Sequence, residues 1–170
     1  MKINYVVRFL LIILILFGLT LFAHHKINDS PYDETAKEFI KIETQVVIQK
    51  IQKRKSGLYY FGFSSCPWCQ DLLPLLRQEL KASSSKAYLV NTKSDDFTQD
   101  ARNSITEIYK NYLGGNKLYV PFLIAINSKG DIKVHMGTVE GHDAHHEEMT
   151  EYQLNKLKNI LHNLNKHRLS

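Results

Sequence analysis

The chain contains two cysteines, and both belong to one short motif, Cys66-Pro67-Trp68-Cys69. Two thiols separated by two residues at the start of a helix can close a disulfide without moving the backbone. The first thiol then lies at the helix N-terminus, where unpaired N–H groups and the helix dipole favour the thiolate. Pro67 suits the first helical position, since its missing N–H would be unpaired there anyway. The spacing therefore predicts a redox dithiol in which Cys66 attacks a substrate disulfide and Cys69 resolves the mixed disulfide.

A structural disulfide and half of a metal site are the alternatives for this pair. A disulfide that closes so short a loop removes little entropy from the unfolded chain, so stability is a poor reason for it. A metal site needs further ligands, and the stretch 141–148 contains His142, His145 and His146. His142 and His146 are four residues apart, which brings two imidazoles together on a helix. Metal binding stays open as an alternative, although a solvated polar loop is the favoured interpretation and no metal ligand is assigned.

Length and composition limit the classes of protein to which the chain belongs. A length of 170 residues suits one domain with a sizeable core. Two cysteines are too few for a disulfide-dense scaffold or a four-thiolate zinc site. A hydrophobic fraction of 44% with 23% charged residues excludes a disordered chain. The formal net charge of +5 is modest and spread through the predicted helices, so we expect no nucleic-acid partner.

An uncharged apolar run covers residues 9–23 and follows Lys2 and Arg8. A basic flank before an apolar run is typical of a signal peptide or a signal anchor. Leu21 stands where a signal peptidase prefers a small residue before Ala23, which favours an uncleaved anchor. We therefore expect residues 1–23 in the cell membrane, a polar tether at 24–35, and an extracytoplasmic domain at 36–168. Secretion after cleavage is the alternative.

Apolar patterns after the tether alternate between strands and helices in the order β-α-β-α-β-α-β-β-α. Strands are predicted at 39–42, 58–63, 87–90, 120–126 and 131–136, and helices at 44–55, 71–80, 95–113 and 150–165. Thr44 is predicted to cap the first helix, and Thr150 with Gln153 predicts a capping box on the last. The expected fold class is α/β.

With this order of elements, the motif resembles that of the thioredoxin-like superfamily. Pro74 lies eight residues after Cys66, where that family has a kinking proline in its active-site helix. Val120-Pro121 opens a strand at the place where the family carries a cis-proline facing the dithiol. The resemblance covers about residues 36–165 and implies a thioredoxin fold, a central mixed sheet flanked by helices. Among subgroups, the chain looks like the bacteriocin transport accessory proteins of Gram-positive bacteria.

The resemblance implies further roles near the dithiol. A cis-proline at Pro121 has no N–H, which leaves the backbone of Val120 to pair with an extended substrate; a trans proline at a strand edge is the alternative. Thioredoxins carry a buried aspartate six residues before the first cysteine, and Tyr60 stands there in this chain. Tyrosine is neutral near pH 7 and cannot act as that base. Tyr60, Pro67 and Trp68 are therefore predicted to modulate the active site, with Trp68 shielding the sulfurs or contacting substrate.

The sequence thus predicts a membrane-tethered thiol–disulfide oxidoreductase with Cys66 and Cys69 as catalytic residues and Val120 and Pro121 as substrate-binding residues. No cofactor is expected, because electrons pass between dithiols. The expected partners are an exported protein or peptide that carries a disulfide or thiols, and a redox partner in the membrane. Two alternatives remain: an accessory protein that binds an exported peptide or a transporter with incidental redox activity, and a metal-binding chaperone.

Overall fold

Five strands form one mixed sheet with helices on both faces in the computed structural model, which describes residues 32–170. The strands are β1 (Phe39–Ile40), β2 (Gly57–Gly62), β3 (Ala87–Asn91), β4 (Phe122–Ile126) and β5 (Ile132–Met136). The helices are α1 (Thr44–Gln52), α2 (Pro67–Ala82), α3 (Gln99–Leu113) and α4 (Glu151–Leu169). Their order along the chain is the predicted one.

The strand order across the sheet is β1-β3-β2-β4-β5. β3 pairs in parallel with both β1 and β2, whereas β4 pairs antiparallel with β2 and β5. The two central strands, β2 and β4, are buried along their whole length, as their continuous apolar sequences predict. This five-stranded mixed sheet flanked by four helices is the arrangement that a thioredoxin fold implies.

The expected membrane anchor, residues 1–23, lies outside the described residues, and so do residues 24–31 of the expected tether. Within residues 32–170, no helix combines the length and the apolar character needed to cross a bilayer. The last part of the expected tether is described, and Tyr32 in it packs against the core.

Two hydrophobic cores lie on opposite faces of the sheet. Helices α2 and α4 cover one face, and α1 and α3 cover the other. Because successive side chains of a strand point to opposite faces, β2 sends Leu58 and Tyr60 into the first core and Tyr59 and Phe61 into the second. We call these the α2/α4 core and the α1/α3 core. The last residues of β2 therefore connect both cores to the loop that carries the cysteines.

One predicted helix cap and one predicted helix start were wrong, and both involve the carboxylate of Asp96. Thr44 does not cap α1; Glu43 holds the cap position without a side-chain bond. The backbone N–H and hydroxyl of Thr44 instead donate to Asp96 Oδ2, at 3.1 and 2.8 Å. Asp96 thus binds the start of α1. Helix α3 begins later than predicted, at Gln99, and Thr98 caps it.

Helix α3 ends at Leu113 as predicted, whereas α1 ends at Gln52, before the predicted residue 55, and α4 runs to Leu169, beyond the predicted residue 165. Helix α2 begins at Pro67 and runs through Pro74 to Ala82, which extends the predicted helical stripe in both directions. The capping box predicted for α4 is confirmed, since the Thr150 side chain accepts from the Gln153 N–H and Gln153 reaches back to the Thr150 N–H. The helix start that matters most for chemistry is that of α2, because Cys66 lies there.

Candidate functional site

Cys66 occupies the cap position of helix α2, directly after the loop that leaves β2. Its backbone is extended, with φ −92° and ψ 117°, and its Sγ accepts a hydrogen bond from the Cys69 N–H at 3.3 Å. Pro67 occupies the first turn, so no N–H at that position competes for the sulfur. The sulfur thus stands where the helix presents unpaired N–H groups, the position expected from the spacing of the two cysteines.

The pKa values of the two thiols are shifted in opposite directions. The hydrogen bond from the Cys69 thiol, together with the amides of Cys69 and Trp68, lowers the pKa of Cys66 to about 7, against an opposing effect of burial. The interaction with Cys66, followed by burial, raises the pKa of Cys69 above its ordinary value. The shared proton therefore resides on Cys69, and the negative charge resides on Cys66.

The two cysteines also differ in their exposure to solvent, and Cys66 is again the one better placed to react. Both cysteines are free, but Cys66 is 5% exposed and Cys69 is 0% exposed. An incoming disulfide therefore meets Cys66 first. Cys69 is buried behind Cys66, where it can attack the Cys66 sulfur of a mixed disulfide, and this is the order of attack that disulfide exchange requires.

The segment before β4 lies beside the nucleophile. The Val120–Pro121 peptide bond is cis, and Cys66 Sγ lies 3.7 Å from the Val120 carbonyl oxygen, to which it donates when it is protonated. The structure therefore brings together the dithiol and the backbone edge that the sequence assigned to substrate binding. An extended chain paired with Val120 would pass within reach of the Cys66 sulfur.

Trp68 connects the motif to the loop that precedes α4. Its indole Nε1 donates to the His142 carbonyl oxygen at 3.4 Å. Its ring meets the ring of His145 edge-on, with centroids 4.7 Å apart. Trp68 is half-buried as a result, so it forms one wall of the site rather than a free aromatic surface.

The interpretation of residues 141–148 as a solvated loop was wrong for His142. Its side chain is completely buried and its Nδ1 makes a hydrogen bond of 2.8 Å with the Thr138 hydroxyl. Its Nε2 lies 3.2 Å from the Glu147 carbonyl oxygen and 3.4 Å from Asp71 Oδ2 on helix α2. Burial raises the pKa of Asp71 despite this neighbour. His142 therefore fastens the loop to the active-site helix.

The histidines of this loop do not converge on a common point. His146 is exposed and pairs with Asp143 at 2.7 Å, whereas His142 points into the protein. In the part of the chain from residue 32 onward, no three His, Cys, Asp or Glu side chains come together as metal ligands would. The i, i+4 spacing misled because the loop is not a helix at these residues.

Tyr60 lies beneath the dithiol with its side chain fully buried. Its hydroxyl faces the Cys69 thiol and the Tyr32 hydroxyl, but neither hydroxyl completes a hydrogen bond of good geometry among residues 32–170. A buried hydroxyl without a partner is unfavourable to folding. The sequence singled out Tyr60 by its position before Cys66, but it gave no sign of Tyr32, which falls in the expected tether.

No protein-family model matches the chain, and no curated protein matches it. Among solved structures, the chain is similar to a disulphide isomerase from Xylella fastidiosa Temecula1, at 21% sequence identity. That similarity covers 79% of this chain and 98% of the other, with a TM-score of 0.34. A likeness of this degree says nothing about the activity of this chain.

Proposed function

We propose that the protein is a thiol–disulfide oxidoreductase that acts outside the cytoplasm and exchanges disulfides through Cys66 and Cys69. One observation carries the proposal: the Cys66 sulfur caps helix α2, accepts the Cys69 N–H at 3.3 Å and has its pKa lowered to about 7. A thiol of this kind is substantially ionised at neutral pH, and the thiolate is the form that attacks disulfides.

The first step is attack by the Cys66 thiolate on one sulfur of a substrate disulfide. A bond forms between Cys66 Sγ and that sulfur, the substrate S–S bond breaks, and the second substrate sulfur leaves as a thiolate. The Val120 backbone, whose carbonyl oxygen is 3.7 Å from Cys66 Sγ, holds the extended substrate alongside.

The second step is attack by Cys69 on the Cys66 sulfur. Cys69 gives up its proton, the Cys66–Cys69 disulfide forms, and the remaining substrate sulfur leaves and takes up a proton. Two electrons have then passed from the dithiol to the substrate, and the reverse sequence oxidises a substrate dithiol. The N–H···S contact of 3.3 Å between Cys69 and Cys66 supports this step, because it places the two residues side by side at the start of helix α2.

The location and the partners belong to the proposal as well. Lys2, Arg8 and the apolar run at 9–23 support a membrane anchor with the domain outside. The resemblance to bacteriocin transport accessory proteins favours an exported peptide or protein as the disulfide-bearing partner. A membrane-impermeant thiol reagent applied to intact cells tests the location, since Cys66 is labelled only if the domain lies outside.

Substitution of each cysteine tests the mechanism. Cys66→Ser abolishes reduction of insulin by the purified protein, because it removes the nucleophile. Cys69→Ser retains the first step and accumulates a mixed disulfide, visible as a covalent adduct that reductant releases. Equal residual activity in the two variants contradicts the mechanism.

A variant with serine at both positions serves as the control. If it still captures the same partner from cells, binding and not exchange holds that partner, and the redox proposal fails. Measurement of the reduction potential then fixes the direction of electron flow: a value near about −120 mV indicates an oxidant, and one near about −270 mV a reductant.

A further inference from the structure

Two buried hydroxyls lie on the side of the dithiol that is closed to solvent. The hydroxyl oxygens of Tyr32 and Tyr60 are inaccessible to water and complete no hydrogen bond within the described part of the chain. Tyr60 faces the sulfur of Cys69, and Tyr32 stands behind Tyr60. Buried polar groups are nearly always paired in native proteins, so two adjacent unpaired hydroxyls beside a reactive sulfur require an explanation.

The chain makes room for the Tyr60 hydroxyl at the end of β2. A Cβ at Gly62 would collide with the hydroxyl and lie 2.6 Å from Tyr60 Cζ. Gly62 is thus the residue type that allows the phenol of Tyr60 to lie over the strand end. The position of the hydroxyl is fixed by the packing of a fully buried ring.

We propose that Tyr60 is a catalytic residue that donates its hydroxyl hydrogen to the Cys69 sulfur when that sulfur becomes a thiolate, with Tyr32 donating to Tyr60 in turn. The role in exchange rests on the proposed function. In the resolving step, the Cys69 proton leaves for solvent, the Tyr60 hydrogen bond stabilises the resulting charge, and Cys69 attacks Cys66. The departing substrate thiolate takes up one proton from solvent, so the number of protons is unchanged overall.

A donor is the role that fits a tyrosine in these surroundings. Burial holds the pKa of Tyr60 well above its ordinary value, so the phenol keeps its proton and cannot act as a base. A neutral O–H next to a thiolate makes a charge-assisted hydrogen bond, which is stronger than one between neutral groups. The unpaired state of both hydroxyls beside the thiol leaves them available for the charge that appears during the reaction.

Within residues 32–170, the groups that act on Cys69 belong to the dithiol motif, the loop before it and Tyr60. Cys66 on α2 faces it directly, and the Phe63 backbone amide also lies against the sulfur. Glu34 acts on Tyr32, and Asp71 acts on Cys66. When the Cys66 side chain is removed, the Tyr60 hydroxyl still faces the Cys69 sulfur and can stabilise a charge on it.

The chain offers a direct test, because Cys66→Ala leaves Cys69 as its only thiol and adds no hydroxyl beside it. The thiolate absorbance of this variant is titrated against pH, alone and combined with Tyr60→Phe. Tyr59→Phe in the same background is the matched control, since its hydroxyl lies on the other face of β2 and donates to the Lys55 carbonyl oxygen. Tyr60→Phe is expected to reduce the thiolate fraction at a given pH by about tenfold, and Tyr59→Phe is expected to leave it unchanged.

An equal titration curve in all three variants overturns the inference, as does an equal shift with Tyr59→Phe. A second measurement follows the resolving step in protein with both cysteines: Tyr60→Phe is expected to accumulate mixed disulfide, with the pH profile of resolution displaced upward, and Tyr32→Phe to do so to a smaller degree. These results separate the two proposals. The titration concerns Cys69 alone, whereas failure of the proposed function appears as undiminished activity in Cys66→Ser.

Discussion

Tyr59 and Tyr60 are neighbours on strand β2 and both are 0% exposed, but their side chains lie on opposite faces of the sheet. In the α1/α3 core, the Tyr59 hydroxyl donates to the Lys55 carbonyl oxygen at 2.6 Å, and its ring stacks on that of Tyr88 with centroids 5.2 Å apart. In the α2/α4 core, the Tyr60 hydroxyl has no partner of good geometry among residues 32–170.

The two hydroxyls therefore differ in their effect on folding: that of Tyr59 stabilises the protein, and that of Tyr60 does not. Both rings contribute the hydrophobic burial expected of an aromatic residue. Only Tyr59 adds a net favourable hydrogen bond, whereas the hydroxyl of Tyr60 is a cost to folding. A group that weakens the fold and lies against the Cys69 sulfur is better explained by chemistry than by stability.

The largest expected effect concerns the sulfur that neither tyrosine faces. Alkylation of Cys66 in the reduced protein rises about tenfold per pH unit below its midpoint near pH 7, because only the thiolate reacts and the pKa of Cys66 is lowered to about 7. Peptide mapping after timed alkylation measures this. Both Tyr59→Phe and Tyr60→Phe leave that midpoint in place, and a midpoint near the ordinary thiol value contradicts the assignment of the charge to Cys66.

Glycines beside the two tyrosines extend the comparison to packing. A Cβ at Gly62 would lie 2.6 Å from Tyr60 Cζ, and one at Gly57 would lie 2.9 Å from Tyr59 Cζ. Gly62→Ala is expected to lower the free energy of unfolding by about 1–3 kcal/mol, since it overpacks a closed site, and Gly57→Ala by less. Urea denaturation measures both, and Tyr60→Phe should restore part of the loss in Gly62→Ala; an additive double variant argues against the collision.

Loss of the partnered hydroxyl has a smaller effect. Tyr59→Phe removes the hydrogen bond to Lys55 and leaves that carbonyl unpaired, so the free energy of unfolding falls by about 1 kcal/mol. Thermal or denaturant unfolding of the reduced protein measures it. A change of zero would show that water replaces Tyr59 at this carbonyl.

Loss of the unpartnered hydroxyl has the smallest effect on the fold. Tyr60→Phe keeps the buried ring and removes a group that completes no hydrogen bond in the described chain, so stability stays equal or rises by less than about 1 kcal/mol. The same denaturation experiment applies. A clear loss of stability in Tyr60→Phe would mean that the hydroxyl is paired in the resting protein. The proposed difference between Tyr59 and Tyr60 would then be wrong.

Structural features that are determined by residues close together in the chain could be predicted from the sequence. The order of strands and helices, the capping box at Thr150 and the position of Cys66 at the start of a helix all reflect patterns within a few residues. The bond from Thr44 to Asp96 joins residues 52 positions apart, and no local pattern shows it. For the same reason the sequence did not reveal that His142 is buried or that Tyr32 lies behind Tyr60.

The two edge strands of the sheet differ in how many backbone groups they offer to a further strand. β1 is two residues long, so it offers few backbone groups to an added strand. β5 is longer, but Lys133 is exposed on it, and a charge on an edge strand opposes pairing with another chain. Neither edge of the sheet therefore favours pairing with a strand of another chain.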